Sequence, residues 1–403
     1  MRVLQINFLN CFSTGNIMLN TARVARERGF VAYTASKDSR DARKADRGLV
    51  NHYYIGSRLE NTFHRYFSWY TDLQDVCSCF STLRLIRQIE KVKPDLIHLH
   101  DVVGWYLNID ILFKYLKKKD VPIVWTFHDC WAFTGRCIYF DYAACSRWKE
   151  GCGHCPQKSY MPGTRTPWDF SGWNWRRKRC LFTSLDKLTI VTPSRWLKEL
   201  TEESFFAGRD IRVINNGIDL TVFKPKTDGR LYEDFHPLGK KIVLGVAGAW
   251  SARKGLDTLV QLSKELPEDY YLLVVGTEEY LGENITTIAR THNPSELAEL
   301  YSAASVFVNP TLEDNFPTVN LEAIACGTPV VTYRTGGSPE SVSEKAGVVV
   351  EKGDYEALKK AVIAICEKGK EAFQDACVEA SKKYDMNARF NDYVDLYEEL
   401  LKR

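Results

Sequence analysis

Acidic and amide side chains gather in one stretch, NPTLEDNFPTVNLEAIACGTPVVTYRTGGSPE, which covers residues 309–340. Glu313, Asp314 and Asn315 fall in its turn-rich first part, and Glu322 follows in a predicted helix. Carboxylate and amide oxygens can accept hydrogen bonds from the hydroxyl groups of a ligand. A strand, a loop and a helix in this order also bring helix N-terminal amides to the same edge of a sheet. The stretch therefore predicts a sugar-nucleotide site.

A second pattern offers positive charge. Gly248 starts a small-residue turn, and Arg253, Lys254 and Gly255 open the helix predicted after it. Arginine supplies a planar fork of donors and lysine a point charge, so the turn is typical of a diphosphate clamp. Solvated surface cations are the alternative interpretation of the same residues.

A histidine stands at the end of another predicted strand. The apolar run 123–127 delivers His128 and Asp129 at its carboxyl end, and His100 has the same placement after an earlier strand. Such a histidine can hydrogen-bond a ligand hydroxyl and carry partial charge near neutral pH. The alternative is a structural histidine that caps the next turn.

Four cysteines fall within one glycine-containing loop: Cys137, Cys145, Cys152 and Cys155. The last two have the spacing of a zinc knuckle, and four thiolates would complete a closed, structural zinc site with no catalytic position. Seven residues separate the first two, and Cys130 and His154 are substitute ligands. Unligated thiols are the alternative, because twelve cysteines without a secretory signal indicate a reducing cytosol.

Two stretches combine aromatic side chains with charge. Residues 168–179, WDFSGWNWRRKR, interleave three tryptophans with four consecutive cations, a combination that suits an anionic membrane interface, a phosphate-bearing acceptor or single-stranded nucleic acid. A helix with packed tryptophans and solvated cations is the alternative. Residues 37–70 alternate charge and aromatics and are interpreted as an acceptor-facing loop or a mobile excursion.

The elements that position these residues alternate between strands and helices. A strand at Val3–Phe8 precedes a loop at Leu9–Gly15 and a helix at Ile17–Arg28. This loop could receive a phosphate at the start of the helix, and a plain connecting turn is the alternative. Within residues 309–340, Pro317 leads into the predicted helix and Gly327 ends it. The alternation predicts α/β domains with doubly wound parallel sheets.

Length and composition allow two such domains. The chain has 403 residues with 45% hydrophobic and 26% charged side chains, and its net charge of +3 is too small to argue for nucleic acid. No apolar stretch approaches the roughly 20 residues of a membrane span. We expect a cytoplasmic protein with a first domain at 1–218, a linker at 219–240, a second domain at 241–385 and a final helix at 386–403.

Several segments together resemble one known family. The chain is similar to the retaining GT-B-fold glycosyltransferases of the family-four type, a group that includes bacterial cell-surface polysaccharide enzymes. A cysteine-rich part, WTFHDCWAFTGRC…GCGHCPQ, is similar to a subgroup linked to exopolysaccharide, capsule or colanic acid synthesis. Four further segments carry the resemblance: VINNGIDLTVFKP, RKGLDTLV, ELAELYSAASVFVNPTLEDNFPTVNLEAIACGTPVV and TGGSPE.

The resemblance implies a fold and an activity. The fold would be two Rossmann-like doubly wound domains facing across a cleft, with the last helix crossing back to the first domain. The activity would be a metal-independent, retaining transfer of a hexose from a UDP- or GDP-sugar, with no cofactor. The acceptor would be a glycan or a lipid-linked saccharide, with peripheral contact to the inner face of the plasma membrane.

The resemblance also assigns site residues. Catalytic roles fall on His128, Arg253, Lys254 and Asp314. Donor binding falls on Gly15, Gly248, Arg253, Lys254, Asp314, Asn315, Phe316, Pro317, Thr318 and Glu322. Within this set Glu322 would bind the ribose hydroxyls. Two positions depart from the family: Asp314 stands where glutamate is usual, and Ala249 replaces the usual arginine, so that Arg253 would substitute for it.

Two other functions fit parts of the pattern. A sugar-nucleotide epimerase shares the two-domain architecture and would convert a sugar nucleotide without an acceptor. A non-catalytic, zinc-containing nucleic-acid-binding protein would use the aromatic and basic residues, and it would bind oligonucleotides with a strong dependence on salt.

Overall fold

The computed structural model describes residues 1–45, 48–160, 162–235, 239–291 and 293–403. These residues form two compact units. The first unit contains Met1–Ile214 together with Phe390–Arg403, and the second contains Asn215–Arg389. Each unit has one sheet of parallel strands that alternate along the chain with helices. The predicted α/β class, with Rossmann-like parallel sheets, is therefore confirmed for each unit.

Seven strands form the sheet of the first unit: β1 (Arg2–Asn7), β2 (Val31–Lys37), β3 (His52–Ile55), β4 (Leu96–Leu99), β5 (Ile123–Thr126), β6 (Leu188–Thr192) and β7 (Asp210–Val213). They lie in the order β3-β2-β1-β4-β5-β6-β7, and every neighbouring pair is parallel. Strands β4, β5 and β6 are buried at every residue, as expected for a parallel sheet with both faces covered.

The helices of the first unit follow these strands: α1 (Phe12–Glu27), α2 (Arg40–Lys44), α3 (Arg58–Thr71), α4 (Cys79–Val92), α5 (Ile109–Leu116), α6 (Ser171–Phe182) and α7 (Arg195–Glu203). Local sequence fixes several of their starts. Ser57, Asn108 and Ser194 each accept a hydrogen bond from a backbone N–H in the first turn of the following helix. Such caps satisfy donors that have no partner inside the helix.

The second unit has a smaller sheet, in the order β10-β9-β8-β11-β12-β13. Its strands are β8 (Lys241–Val246), β9 (Tyr270–Val275), β10 (Ile285–Ile288), β11 (Val306–Asn309), β12 (Val330–Tyr333) and β13 (Gly347–Val350). Its helices are α8 (Arg230–Phe235), α9 (Leu256–Glu265), α10 (Pro294–Ala303), α11 (Thr318–Ala325), α12 (Tyr355–Lys368) and α13 (Glu371–Ser381). All neighbouring strands are parallel.

The last helix, α14 (Met386–Lys402), contributes its residues from Phe390 onward to the first unit. Its buried Tyr397 places its hydroxyl 2.5 Å from Nδ1 of His98 on β4. Arg28, just after α1, forms an ion pair with Glu398 at 2.6 Å. This helix therefore packs on the first unit through a buried polar contact and a surface ion pair.

The first helix begins earlier than predicted. The structure starts α1 at Phe12, so Gly15 lies in the first turn of the helix and not in a preceding loop. A Cβ atom at Gly15 would come 2.7 Å from the carbonyl carbon of Asn10. The glycine therefore lets the helix pack directly against the chain that leads into it.

The segment at 37–70 was wrongly interpreted as a loop or mobile excursion. It supplies α2, the edge strand β3 and most of α3. The strand His52–Ile55 is half-buried and polar, so it lacks the apolar run that marked the central strands. The predicted linker at 219–240 also contains a helix, α8, and its Phe223 lies in the core of the second unit; residues 236–238 lie outside the described part of the chain.

Candidate functional site

The loop between β11 and α11 carries acidic residues singled out in the sequence, and the segment after β12 forms hydrogen bonds with its backbone. Thr335 Oγ1 donates to the carbonyl of Leu312 at 3.0 Å. The N–H of Gly337 donates to the carbonyl of Asn315 at 2.8 Å. The segment after β12 thus fixes the backbone of residues 310–317 from one side.

Gly336, which follows β12, occupies a position that requires glycine. Its φ of +52° is one that other residues rarely adopt, and a Cβ there would come 1.6 Å from the carbonyl oxygen of Asp314. Only glycine permits this approach of one backbone to the other. The TGGSPE segment therefore has a structural role in positioning Asp314.

The cationic turn lies against the same loop. Residues Ala252–Lys254 form a single 3₁₀ turn, and Gly255 ends it with a φ of +77°. A Cβ at Gly255 would come 2.2 Å from the carbonyl oxygen of Pro310, and the N–H of Leu312 donates to the carbonyl of Arg253 at 2.8 Å. The structure thus brings together the clamp residues and the acidic loop, which lie some 60 residues apart in sequence.

Charges of opposite sign meet where the turn and the loop touch. The Nη1 of Arg253 donates to the carbonyl of Glu313 at 2.8 Å. The ammonium of Lys254 forms an ion pair with the carboxylate of Asp314, and both side chains are mostly buried. The two residues assigned to diphosphate and sugar are therefore paired with each other.

Glu322 lies on α11 in a largely buried position. Its Oε2 accepts a hydrogen bond from the hydroxyl of Tyr301 on α10 at 3.1 Å. Burial raises the pKa of Glu322 to about 7, although the hydrogen bonds from Tyr301 and Thr318 act in the opposite direction. The carboxyl is therefore held near half-ionisation at neutral pH, and additional donors from a ligand would favour the ionised form.

A buried amide network fixes α11 to the sheet. Asn309 Nδ2 donates to Asn320 Oδ1 at 2.8 Å, and Asn320 Nδ2 donates to Ser341 Oγ at 2.9 Å. None of these was identified from the sequence. The position of Asn309 at the end of an apolar strand could have indicated this network, because a buried amide needs hydrogen-bond partners.

Four further predicted residues lie at the same edge of the second sheet. Gly248 is exposed just after β8, which is the neighbour of β11. Pro317 and Thr318 start α11. Phe316 is buried, with its ring centroid 5.8 Å from that of Tyr384, so its side chain packs in the core and only its backbone is a candidate ligand contact.

The first unit places three of the singled-out residues beyond the carboxyl ends of neighbouring strands. Gly15 lies beyond β1, His100 beyond β4 and His128 beyond β5. Nδ1 of His100 lies 3.1 Å from Nε2 of His128. Burial lowers the pKa of both histidines, and that of His100 falls well below its ordinary value. Both rings are therefore neutral at physiological pH.

Polar residues of β1 and of the loop after β5 complete this edge. Asn7 Oδ1 accepts a hydrogen bond from the N–H of Asp101 at 3.1 Å, and its Nδ2 donates to the carbonyl of Leu9 at 2.8 Å. Asp129 accepts from the N–H of Trp131 at 2.8 Å, and burial raises the pKa of Asp129 to about 8. Asn7 was visible as a polar residue in an apolar run but was assigned no role.

The four loop cysteines line one small cavity in the first unit, together with the aromatic ring of Trp148. The backbone N–H of Gly135 donates to Sγ of Cys152 at 3.2 Å. Burial raises the pKa of the Cys137 thiol to about 11 and that of Cys152 to about 12. Within the described ranges, no group of three or more His, Cys, Asp or Glu side chains is spaced to hold a metal ion.

The basic run in residues 168–179 is not a surface patch of four cations. Lys178 is buried and donates to the carbonyls of Trp131 and Thr134 at 2.9 and 3.1 Å. Arg177 is largely buried and pairs with Asp110 at 2.6 Å. Two of the four cations therefore stabilise the fold, which corrects both the view of an exposed basic cluster and that of four solvated cations.

Among the described residues, helices that combine the length and the apolar character of a membrane span are absent.

Comparison with known proteins identifies the family. Residues 15–222, more than half of the chain, match the model described as Glycosyltransferase Family 4, and residues 232–384 match Glycosyl transferases group 1. WcaC of Escherichia coli (strain K12), assigned by name to colanic acid biosynthesis as a glycosyl transferase, is 26% identical over 326 residues. That match covers 76% of this chain and 77% of WcaC. Several other curated relatives match over about half of their own length.

Solved structures share the architecture. A sucrose-phosphate synthase from Thermosynechococcus elongatus superimposes with a TM-score of 0.71 at 15% identity, covering 100% of this chain and 99% of that one. Anabaena HepE, solved in complex with UDP, has a TM-score of 0.70 at 15% identity, covering 99% and 100%. These neighbours show a shared fold, and the family model matched over more than half of the chain shows that the chain belongs to the family 4 glycosyltransferases.

Proposed function

We propose that the protein transfers a sugar from a nucleoside-diphosphate sugar to a glycan or lipid-linked saccharide in cell-surface polysaccharide biosynthesis, with retention of configuration. One observation carries the proposal. The turn with Arg253 and Lys254 is packed against the loop that carries Asp314, and Glu322 follows on the helix after that loop. Cations for a diphosphate and acids for sugar hydroxyls are thus brought together by the packing of one turn, one loop and one helix.

Transfer leaves negative charge on the departing diphosphate, and Arg253 and Lys254 would stabilise it. Removal of one such preorganised donor typically raises a barrier by roughly 3 kcal/mol. A diphosphate would also compete with Asp314 for the ammonium of Lys254. The released carboxylate could then accept a hydrogen bond from a sugar hydroxyl. The cations are protein side chains, so the proposed mechanism assigns no step to a metal ion.

Ribose binding would use Glu322. Two hydroxyls of a ribose can donate to one carboxylate, which favours its ionised form. His128 would contact the sugar, as the resemblance implies, and retention would follow from attack on the same face from which the diphosphate leaves. No protein nucleophile is then required.

The comparisons support the class of substrate. WcaC is named for colanic acid biosynthesis, and HepE was solved with UDP and with UDP-glucose. We propose UDP- or GDP-sugars as donors. A thermal-shift screen against UDP, GDP, ADP and their sugars tests this, because a ligand that binds only the folded protein raises its stability by mass action. Conversion of a sugar nucleotide without any acceptor would instead identify an epimerase.

An exposed apolar helix face supports peripheral contact with a membrane. On α3, Leu59, Phe63 and Tyr70 are 85%, 62% and 58% exposed, whereas the polar residues Asn61 and His64 of the same helix are buried. This inverts the usual pattern of a surface helix. An apolar stripe flanked by cations suits the boundary between headgroups and acyl chains.

Nearby cations lie at both ends of this helix face. Arg58 is exposed at its start, and the guanidinium of Arg165 lies 4.8 Å from the ring centroid of Trp69 near its end. In sedimentation with vesicles containing anionic lipid, we expect the wild type to bind and F63S/Y70S to lose binding. Tyr280 of the second unit, 80% exposed, supplies the matched control Y280S, and equal binding by all three proteins would contradict the proposal.

The structural zinc stays a prediction from cysteine spacing. Its support is the cavity that the four thiols share and the N–H donor that faces Cys152. In the described residues these thiols are not spaced to hold a metal ion, so elemental analysis of purified protein decides the prediction: zinc in a one-to-one ratio that C152S/C155S loses would support it. Protein without stoichiometric zinc would overturn the prediction.

A further inference from the structure

Gln5, in the middle of β1, connects the backbone of α1 to the histidines at the carboxyl edge of the first sheet. The side chain is fully buried. Its amide lies 3.3 Å from the carbonyl of Met18, 3.1 Å from the N–H of Ala22 and 3.0 Å from Nε2 of His100. A buried glutamine in a parallel strand is costly unless such partners satisfy it, which points to a specific role.

The helix backbone determines which way this amide points. A carbonyl only accepts hydrogen bonds and a backbone N–H only donates them. The amide nitrogen of Gln5 must therefore face Met18, and its oxygen must face Ala22. In that orientation the same nitrogen also faces Nε2 of His100. The opposite orientation would place acceptor against acceptor and donor against donor.

The amide in turn determines the position of the proton on each imidazole. Because the Gln5 nitrogen donates to His100 Nε2, that ring nitrogen carries no proton, and a neutral His100 carries its proton on Nδ1. This Nδ1 lies 3.1 Å from Nε2 of His128, and the two rings are nearly parallel, with planes 11° apart. His100 therefore donates to His128, whose remaining proton must lie on its own Nδ1.

We propose that the chain from Gln5 through His100 fixes His128 as the neutral tautomer protonated on Nδ1, so that this nitrogen is a hydrogen-bond donor and not a base. Gln5 and His100 are positioning residues. The consequence for catalysis rests on the proposed transferase function: His128 would donate to a sugar hydroxyl or to the leaving oxygen and would not remove a proton with that nitrogen. The tautomer itself follows from the packing of β1, β4, β5 and α1 alone.

Nitrogen NMR of the full chain with ¹⁵N-labelled histidine tests the proposal without any substrate. Protonated and bare ring nitrogens have well-separated ¹⁵N shifts, and the His128 signal is assigned from its loss in His128→Asn. We expect a protonated Nδ1 and a bare Nε2 on His128 at pH 8. A protonated Nε2, or an imidazolium at this pH, would overturn the proposal.

Gln5→Glu tests the origin of the effect. Burial raises the pKa of a carboxyl, so the spectrum is recorded at a pH where the new carboxyl is ionised. An ionised carboxylate can only accept, so a neutral His100 must then place its proton on Nε2, and His128 must donate from its Nε2 and leave Nδ1 bare. The matched control is Gln74→Glu, at a buried glutamine that bonds the carbonyl of Pro162. We expect reversal in the first variant and a wild-type His128 spectrum in the second. An unchanged spectrum in a folded Gln5→Glu whose carboxyl is ionised would contradict the role of Gln5. If this variant does not fold, the wild-type spectrum still decides the tautomer.

Kinetics separate this inference from the proposed function. With the donor group reversed, we expect kcat to fall on the order of a hundredfold, while nucleotide affinity stays within twofold. If the wild type shows the predicted tautomer but no transferase activity, the proposed function fails and the hydrogen-bond chain stands. If transfer proceeds with the opposite tautomer, the chain is wrong and the function stands.

Discussion

The replacement Glu322→Gln links the stability of the second unit to the proposed nucleotide site. Burial raises the pKa of this carboxyl from an ordinary 4.5 to about 7. Between these two values the folded protein keeps the proton and the unfolded chain has lost it. The free energy of unfolding of the wild type must therefore fall as pH rises through this window. The glutamine variant stays neutral and has no such loss.

The size of the effect follows from the shift in pKa. At about 1.4 kcal/mol for each pKa unit, the shift corresponds to about 3 kcal/mol. Urea unfolding of both proteins at intervals from pH 4 to pH 8 measures it, because titrations of other groups cancel in the difference between variant and wild type. We expect Glu322→Gln to gain about 3 kcal/mol relative to the wild type over this range. Parallel stability curves would refute the assignment of a raised pKa to Glu322.

Nucleotide binding provides a second readout of the same carboxyl. Ribose hydroxyls would bind the ionised form, so binding must release a proton below pH 7. We expect the affinity for the preferred nucleoside diphosphate to weaken about tenfold between pH 8 and pH 6. In Glu322→Gln only the pH dependence that comes from titration of the diphosphate itself should remain, and the affinity should be low throughout.

Three further predictions follow from the same geometry. Lys254→Ala should weaken nucleoside-diphosphate binding at least about tenfold by calorimetry, because one preorganised cation is lost; unchanged affinity would exclude Lys254 from the clamp. His128→Ala should lower kcat more than it lowers donor affinity in steady-state kinetics, and an unchanged kcat would remove His128 from the site. Gly336→Ala should destabilise the second unit by at least about 2 kcal/mol in urea unfolding, since its Cβ would clash with Asp314. Gly353→Ala is the matched control, because Gly353 has a φ of +81° and open space around the new Cβ. Equal losses of stability in the two variants would show that backbone strain accounts for both and that the clash with Asp314 adds nothing.

Sequence patterns located the elements whose signals are local. The helix Pro294–Ala303 carries such signals, because Asn293 caps it and a proline suits its first turn. The helix after Pro317 and its end near Gly327 were also predicted, and Gly327 has a φ of +75°. The edge strands β3 and β10 were not predicted, because half-buried edge strands lack a continuous apolar run.

Contacts between distant residues lay beyond the sequence patterns. The acids and the cations of the second unit were both identified, but the pairing of Lys254 with Asp314 depends on how two loops pack. Gln5 was visible only as a polar residue in an apolar strand, and its partners come from α1 and β4. The burial of Lys178 was likewise not predicted, because it depends on how other elements pack around α6. From sequence alone, a run of cations indicates solvated side chains.

Calorimetric titration of the full chain with UDP and GDP, in the wild type and in Lys254→Ala, tests the central claim most directly. We predict that the wild type binds at least one of the two nucleotides and that Lys254→Ala binds it at least about tenfold more weakly. If the wild type binds neither nucleotide, or if the variant binds with wild-type affinity, the second unit does not hold its donor through the turn at Arg253 and Lys254.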